Sequence, residues 1–451
     1  MSKKCSARET AIKILSKVIL KGAYANIALN QTLQGTNLSK RDKAFVTKLV
    51  YGNLEKWRPL SYQIEMYLRK PLKKKDELLG LILRNSIYEM LYCDTPPRAA
   101  VNEGVELAGK LGHQGWRGLA NGVLRNVAKE IHNLDWPEFL SPLEKACFFR
   151  SLPDWIGELW RRERGEDEAL RLIEAIGTQQ PLVLRTNSLK TTREALMERL
   201  GEGGLDLSKA KYGRDALLLG NGEDHLFHKL FNEGYFSIQG ESSQLAALAL
   251  EPKSGRMILD MCAAPGGKTT YLAEITQDNG EIYAGDIHEH KIELINESCQ
   301  RLGLRSIKAI NKRGELWGEE FPCYFHYILL DAPCSGLGVL SRRQDALLRK
   351  KEEDIEVLAS IQRGLIQSAI KALKPGGRLV YSTCTLSERE NMAQREYILN
   401  NFPMLPMDIS TLYSGFDDED LTCLKQGYVE LLPYKHGTDG FFIAVFTKEE
   451  Q

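Results

Sequence analysis

The chain has 451 residues, 43% hydrophobic and 27% charged, with 60 Lys and Arg against 60 Asp and Glu. A length of that order predicts about three domains, and the composition is that of a soluble globular protein. With no apolar run near the roughly 20 residues of a membrane span and no apolar signal-peptide core in the opening MSKKCSARET, a cytoplasmic protein without a membrane partner is expected.

The 9 cysteines show no C-x-x-C spacing, so no zinc cluster or other metal site is expected. In a cytosolic chain they are reduced thiols. Cys93, Cys147, Cys299, Cys323 and Cys423 read as small buried apolar residues.

Residues 1–75 depart from the neutral average, with 17 Lys and Arg against 4 Asp and Glu. Basic residues at that density bind phosphate backbones or form a solvated helix face, and charge alone leaves both readings open. Within 6–32, Ala11, Ile12, Ile14, Leu15, Val18 and Ile19 recur at helical spacing. Further helical patterns cover Lys40–Glu55, Pro59–Arg69, Asp76–Tyr92, Ala99–Lys110 and Gly118–Ile131. An all-α bundle is predicted, ending near 135–150, where Pro137 and Pro142 interrupt the periodicity. The stretches SKRDKAFVTKLVYGNLEKWRPL, ILRNSIYEMLYCDTPPRAAVNEGVELA and GLANGVLRNV resemble the NusB-like domain that opens bacterial ribosomal RNA cytosine methyltransferases of the RsmB (Sun/Fmu) type. That resemblance implies a basic face that contacts RNA.

The middle of the chain mixes element types. Trp155–Ile176 is helical and charged, Gln180–Thr186 alternates toward β, Thr191–Leu200 returns to helix, and Ala216–Leu219 is a short apolar run. The mixture, about 90 residues long, is the size of a small α+β domain. The resemblance implies a small RNA-recognition-like fold here. Where the family has an Asp in a V-Q-D element, this chain has Gly240, followed by Glu241.

From about residue 246, strands and helices alternate, which predicts a parallel α/β sheet. Strands are expected at Met257–Cys262, Glu281–Asp286, Ile307–Asn311, Tyr324–Asp331 and Arg378–Thr383. Helices are expected at Lys268–Gln277, Glu289–Leu302, Ile355–Leu373 and Glu388–Asn400, and a final antiparallel strand within Gly437–Thr447. The first strand runs into Cys262-Ala263-Ala264-Pro265-Gly266-Gly267-Lys268, a turn of small residues at a helix N-terminus, where backbone N–H groups are free for a ligand. It is neither G-x-G-x-x-G nor a P-loop. The second strand ends on Asp286, about where an acid binds ribose hydroxyls in such folds; a helix N-cap is the other reading. Turn and acid together favour a nucleoside-containing cofactor.

Two more strands end in thiols, at Asp331-Ala332-Pro333-Cys334-Ser335-Gly336 and at Ser382-Thr383-Cys384-Thr385. Alone, each cysteine reads as structural. Both at the carboxyl edge of one sheet point to covalent catalysis. Methylation at C5 of a pyrimidine needs this: a thiolate adds at C6, C5 becomes nucleophilic, and the C5 proton and the thiol then depart. Asp331 is placed to hydrogen-bond the base edge.

CAAPGGKT, DAPCSG and STC, with Glu390-Asn391 and the terminal TDGFF, resemble the RNA 5-methylcytosine methyltransferases over essentially the whole chain. The resemblance implies that Cys384 attacks C6 and Cys334 assists product release. It implies S-adenosylmethionine held by Cys262–Lys268, Asp286 and Asp331, with Glu315 where the family has an Asp. Arg342-Arg343-Gln344-Asp345 lacks the Pro of the family's substrate-side element. The expected protein is therefore a multidomain enzyme. It has an all-α NusB-like RNA-binding domain (1–145), a small α+β RNA-recognition-like domain (146–245) and a Rossmann-like methyltransferase domain (246–451). The expected reaction is transfer to a cytosine C5 of small-subunit (16S) ribosomal RNA by a monomer, with no DNA partner. Alternatives are the same chemistry on transfer RNA, or a NusB-like RNA-binding factor with an inactive methyltransferase fold.

Overall fold

The computed structural model describes residues 6–178, 180–220, 225–347 and 349–450. They form two compact units, Met1–Gly177 with Leu340–Lys350, and Thr178–Val339 with Lys351–Gln451.

The first unit is all-helical: α1 (Ala7–Lys21), α2 (Ala25–Gln34), α3 (Lys40–Glu55), α4 (Trp57–Met66), α5 (Glu77–Tyr92), α6 (Pro97–Leu111), α7 (Gln114–Lys129), α8 (Pro142–Phe149), α9 (Asp154–Arg164) and α10 (Glu166–Ile176). The pattern over 6–32 is two helices rather than one. Gly22 takes φ 75, a left-handed cap that ends α1. Likewise Gly165, at φ 86, divides 155–176 into α9 and α10. α5 is the central helix and packs against α1, α3, α4, α6 and α7. Its Leu79, Ile82, Leu83 and Ile87 are fully buried, each worth about 1.5–3 kcal/mol against exposure. Glu89 of α5 is buried too, and burial raises its carboxyl pKa, with Arg8 opposing. Arg8 pairs with it at 2.8 Å, and Asn85 Nδ2 donates to it at 2.9 Å. This cation of the basic N-terminal stretch is therefore a half-buried structural partner, because a buried carboxylate needs one.

The second unit holds two sheets. The smaller contains β1 (Leu182–Thr186), β2 (Leu207–Lys209), β3 (Ala216–Leu219) and β4 (Phe236–Ile238), antiparallel in the order β2-β3-β1-β4. With α11 (Arg193–Glu202) and α12 (His225–Asn232) it encloses its own core around Leu184, Leu200, Leu217, Phe227 and Phe236. After α13 (Glu241–Leu250) comes the larger sheet: β5 (Arg256–Asp260), α14 (Gly267–Ile275), β6 (Gly280–Asp286), α15 (Glu289–Leu302), β7 (Ile307–Asn311), α16 (Trp317–Glu320) and β8 (Phe325–Asp331). A short helix, α17 (Gln344–Leu347), lies in the segment that clusters with the helical unit, where Asp345 Oδ2 accepts from Ala25 N at 3.0 Å. The sheet resumes with α18 (Glu353–Ala372), β9 (Leu373–Thr383), α19 (Met392–Asn401), β10 (Met404–Pro406), β11 (Tyr428–Leu431) and β12 (Phe441–Lys448).

The strand order is β10-β12-β9-β8-β5-β6-β7, with β11 beside β12. β5 to β9 pair in parallel and β12 runs antiparallel to β9. Strand order reverses between β5 and β8, and in open α/β sheets ligands bind outside the carboxyl ends at such a point. The helix expected from Glu388 starts instead at Met392, because Glu388–Asn391 form a turn whose side chains are used elsewhere.

Candidate active site at the carboxyl edge of the sheet

The turn after β5 lies at the switch point. Met261 N donates to Leu329 O of β8 and Ala263 N to Gly285 O of β6, so the turn is held between its neighbours. The Ala264–Pro265 peptide is cis. Gly266 caps α14 with φ 101, a backbone conformation that calls for glycine.

Four carboxylates bear on this turn. Asp260, Asp331, Asp286 and Glu315 each raise the Cys262 thiol, after burial as the first cause. Burial and these charges hold the Cys262 thiol protonated. Asp260 is buried, accepts from Thr269 Oγ1 at 2.7 Å through Oδ2, and has no partner on Oδ1. Burial pushes its pKa up to about 7. Asp286 Oδ1 accepts from His288 N at 3.0 Å, so the carboxyl ends the strand as a local cap as well as facing the turn. Glu315 is half-exposed and lies 3.6 Å from Arg313. An unpartnered buried oxygen within a ring of acids fits a cationic ligand, here one with a sulfonium and an ammonium group.

Around the thiols the polar groups interlock. Ala332 N donates to Ser382 O, keeping β8 and β9 paired as both strands end. Cys334 Sγ and Cys384 Sγ are then 3.4 Å apart. The hydrogen bond to Cys384, followed by burial, raises the Cys334 pKa well above normal. Either sulfur can donate in this contact, and Cys334 is the thiol held protonated. Asp331 accepts from Lys268 Nζ at 2.6 Å and from Ser382 Oγ at 2.8 Å. Burial alone would lower the Lys268 pKa, but the Asp331 charge and bond outweigh it and raise it, with Cys384 adding to the attraction. The TDGFF segment reaches this edge through a backbone contact: Gly440 N donates to Gly338 O at 2.8 Å, and a Cβ on Gly338 would lie 2.0 Å from Gly440 O.

Sequence reading singled out these motif residues, and the fold brings Cys334, Cys384, Asp331 and Lys268 together. It missed Asp260, whose signal was an acid ending the first strand. It also missed Arg185, which carried none. Arg185 is fully buried on β1, yet its guanidinium bonds Glu274 at 2.7 and 3.1 Å, Thr270 Oγ1 at 3.0 Å, Gln239 Oε1 at 2.5 Å and Gly267 O at 2.5 Å. The small sheet thereby grips the helix that starts at the Cys262–Lys268 turn. Glu241 does not supply a carboxyl in place of one at Gly240. Its Oε1 accepts from the backbone N–H of Tyr212 at 2.5 Å and Gly213 at 2.7 Å. Instead, Asp439 Oδ2 stands 3.1 Å from where a Cβ of residue 240 would be.

The parallel sheet, switch-point turn and acid after the second strand define a Rossmann-like methyltransferase. Family comparison agrees in three places: residues 5–129 match the NusB family, 152–224 the ferredoxin-like domain of RsmF/B-like methyltransferases, and 247–447 the 16S rRNA methyltransferase RsmB/F family. The chain is 36% identical to the probable ribosomal RNA small subunit methyltransferase B of Bacillus subtilis, over 99% of this chain and 100% of that one. It is 32% identical to the ribosomal RNA small subunit methyltransferase B of Vibrio cholerae, over 98% of each. A methyltransferase homologue from Pyrococcus horikoshii is 30% identical with a TM-score of 0.59, covering 68% of this chain and 100% of that one. The crystal structure of PH0851 shares the fold, with a TM-score of 0.82 at 24% identity over 97% of this chain and 98% of that one. The chain belongs to the 16S rRNA methyltransferase RsmB/F family. Its parts are an all-helical NusB domain, a ferredoxin-like middle domain and an α/β methyltransferase domain, and its methyl donor is S-adenosylmethionine. Among the described residues no helix is long and apolar enough to cross a membrane, and no cluster suits a metal ion.

Proposed function

We propose that this protein methylates C5 of a cytosine in small-subunit ribosomal RNA through a covalent bond from Cys384 to C6. The observation that carries the reading is the 3.4 Å pair of thiols beside the Lys268–Asp331 ion pair. Bound S-adenosylmethionine supplies an electrophilic methyl group on a sulfonium. Cys262–Lys268, Asp260, Asp286, Glu315 and Asp331 are the residues that would hold it.

The target base must leave its stack to reach the thiols. Cys384 attacks as thiolate, favoured by the Lys268 ammonium that it in turn helps to keep charged. Its Sγ–C6 bond forms, and the ring electron pair moves to C5. The Asp331–Lys268 pair faces the N3/N4 edge with fixed charge, so little reorganisation is needed as charge develops. Bond formation removes the negative charge of Cys384. The hydrogen bond to Cys384 is the first cause that raises Cys334, ahead of burial, so its loss makes Cys334 easier to ionise. Once C5 carries the methyl group, Cys334 gives its own proton to water and, as thiolate, takes the C5 proton. The Sγ–C6 bond breaks, the C5–C6 double bond returns, and Cys384 leaves as thiolate.

The reading includes three working domains at 1–145, 146–245 and 246–451, acting as a monomer, with the helical domain holding RNA. Bisulfite sequencing of ribosomal and transfer RNA from a deletion strain tests the substrate: one cytosine of small-subunit RNA loses its mark. Loss confined to transfer RNA overturns that assignment.

A further inference from the structure

Each of the two paired cysteines is followed by a hydroxyl residue, Ser335 after Cys334 and Thr385 after Cys384. The two hydroxyls meet at 2.6 Å. Both are bound by one buried carboxylate, Glu390. Its Oε1 accepts from Ser335 N at 2.8 Å and from Gln362 Nε2 at 3.1 Å. Its Oε2 accepts from Ser335 Oγ and, at 3.4 Å, from Thr385 Oγ1. Gln362 Nε2 also donates to Pro333 O at 3.0 Å, on the other side of Cys334.

The next residue repeats the pattern on the other loop. Asn391 Oδ1 accepts from Thr383 Oγ1 at 2.5 Å, and its Nδ2 donates to Thr385 O at 3.0 Å. Both neighbours of Cys384 are therefore held by one amide. Tyr381 OH donates to Glu390 O at 2.6 Å, which fixes the dipeptide to the strand leading to Cys384. Neither Glu390 nor Asn391 touches a thiol in these bonds. They lie behind the cysteines, where a carboxylate in a buried site is costly unless its oxygens are bonded.

We propose that Glu390, aided by Asn391, is a positioning residue that ties the two cysteine loops together and sets the spacing of their thiols. The inference rests on the reading of Cys384 as attacking and Cys334 as releasing thiol. It makes a demand that reading does not: the spacing must depend on a residue that bonds to neither thiol. Misplacement of reacting groups by about 1 Å costs roughly 100-fold.

The test uses thiol cross-linking as a ruler that needs neither RNA nor cofactor. Diamide joins two neighbouring thiols: an S–S bond forms, two S–H bonds break, and the diamide takes both hydrogens to become the hydrazine. Mass mapping of the Cys334–Cys384 peptide pair gives the rate in wild type, Glu390→Gln and Glu390→Ala, each checked for melting temperature and cofactor binding. Wild type is expected to cross-link fast. Glu390→Gln should stay close to it, because Ser335 Oγ can accept from the new amide and donate to Thr385. Glu390→Ala should fall on the order of 100-fold. With RNA, Glu390→Ala should accumulate a denaturant-resistant protein–RNA adduct as turnover slows, with the KM for cofactor unchanged. A wild type that fails to cross-link, or a folded Glu390→Ala that cross-links at the wild-type rate, overturns the proposal. If Glu390→Ala does not fold, Thr385→Val decides by the same two results. Slowed cross-linking without any RNA adduct in any variant would leave the positioning role standing and remove the covalent mechanism instead.

Discussion

The thiol edge of the sheet and the basic surface of the helical unit handle polar groups in opposite ways. Beside Cys334 and Cys384, the Glu390, Asn391 and Asp331 side chains are bonded at both ends. On the helical unit, Arg69, Lys70, Lys73, Lys74 and Lys75 are exposed and make no ion pair among the described residues. Arg8, by contrast, is half-buried and paired with the buried Glu89. The difference teaches that reactive groups need a fixed, desolvated frame, since their work depends on distance. Phosphate-binding charges need only density and access, because counterion release does not depend on fine geometry.

The comparison breaks first at Cys384. Cys384→Ala should reduce methyl transfer to background with cofactor binding retained; a variant that still methylates would remove the covalent mechanism. Cys334→Ala should form the RNA adduct but release it slowly, seen as a denaturant-resistant band that wild type lacks. Next is the frame. Arg185→Met leaves Glu274 buried without its cation and should cost about 3–5 kcal/mol in denaturant unfolding, with Glu274→Gln added to Arg185→Met recovering part. An unchanged unfolding midpoint would show that the pair does not brace the cofactor helix.

A subtler probe is Asp260, with a pKa near about 7. The folded value lies above the ordinary aspartate value, so this group stabilises the fold at low pH and that contribution is lost as pH rises from about 4 through about 7. A cationic ligand favours the ionised form. Cofactor affinity should therefore rise through that same upper limit with proton release, and Asp260→Asn should flatten the profile. Calorimetry in buffers of different ionisation enthalpy reads this directly; equal proton release in Asp260→Asn would assign the effect elsewhere. The smallest effect is expected on the open surface. Replacing Arg69, Lys70, Lys73, Lys74 and Lys75 with Gln should leave cofactor affinity unchanged and lower the salt slope of RNA binding by about 0.7–0.9 per lost phosphate contact. An unaltered slope would place the RNA on another face.

The site was legible in unequal parts. Motif residues following apolar strands were readable because strand ends and turns are local: Cys334, Cys384 and the turn at Cys262–Lys268 needed no long-range knowledge. Helix breaks at Gly22 and Gly165 were missed because apolar periodicity continues across a single glycine, while its positive φ turns the chain. Glu241 reads as a neighbour of a motif position, yet its carboxyl bonds the backbone of Tyr212 and Gly213, which are 29 and 28 residues away. Arg185 lies in an ordinary strand, and its partner Glu274 is 89 residues distant. No periodicity marks a residue whose meaning depends on a remote one.

By itself the sequence determined three element patterns, the basic bias of the first 75 residues and the motif cysteines with their flanking small and acidic residues. Those follow from backbone preference and side-chain chemistry, which act over a few positions. Only tertiary structure decided which cysteine is which. Cys334 and Cys384 meet at 3.4 Å because β8 and β9 pair in parallel up to Asp331 and Ser382, whereas Cys262 takes no part in that contact. It also decided which cations are structural and which are free for a partner. Burial and charge proximity are properties of the folded arrangement, since they sum over groups that the chain alone leaves far apart.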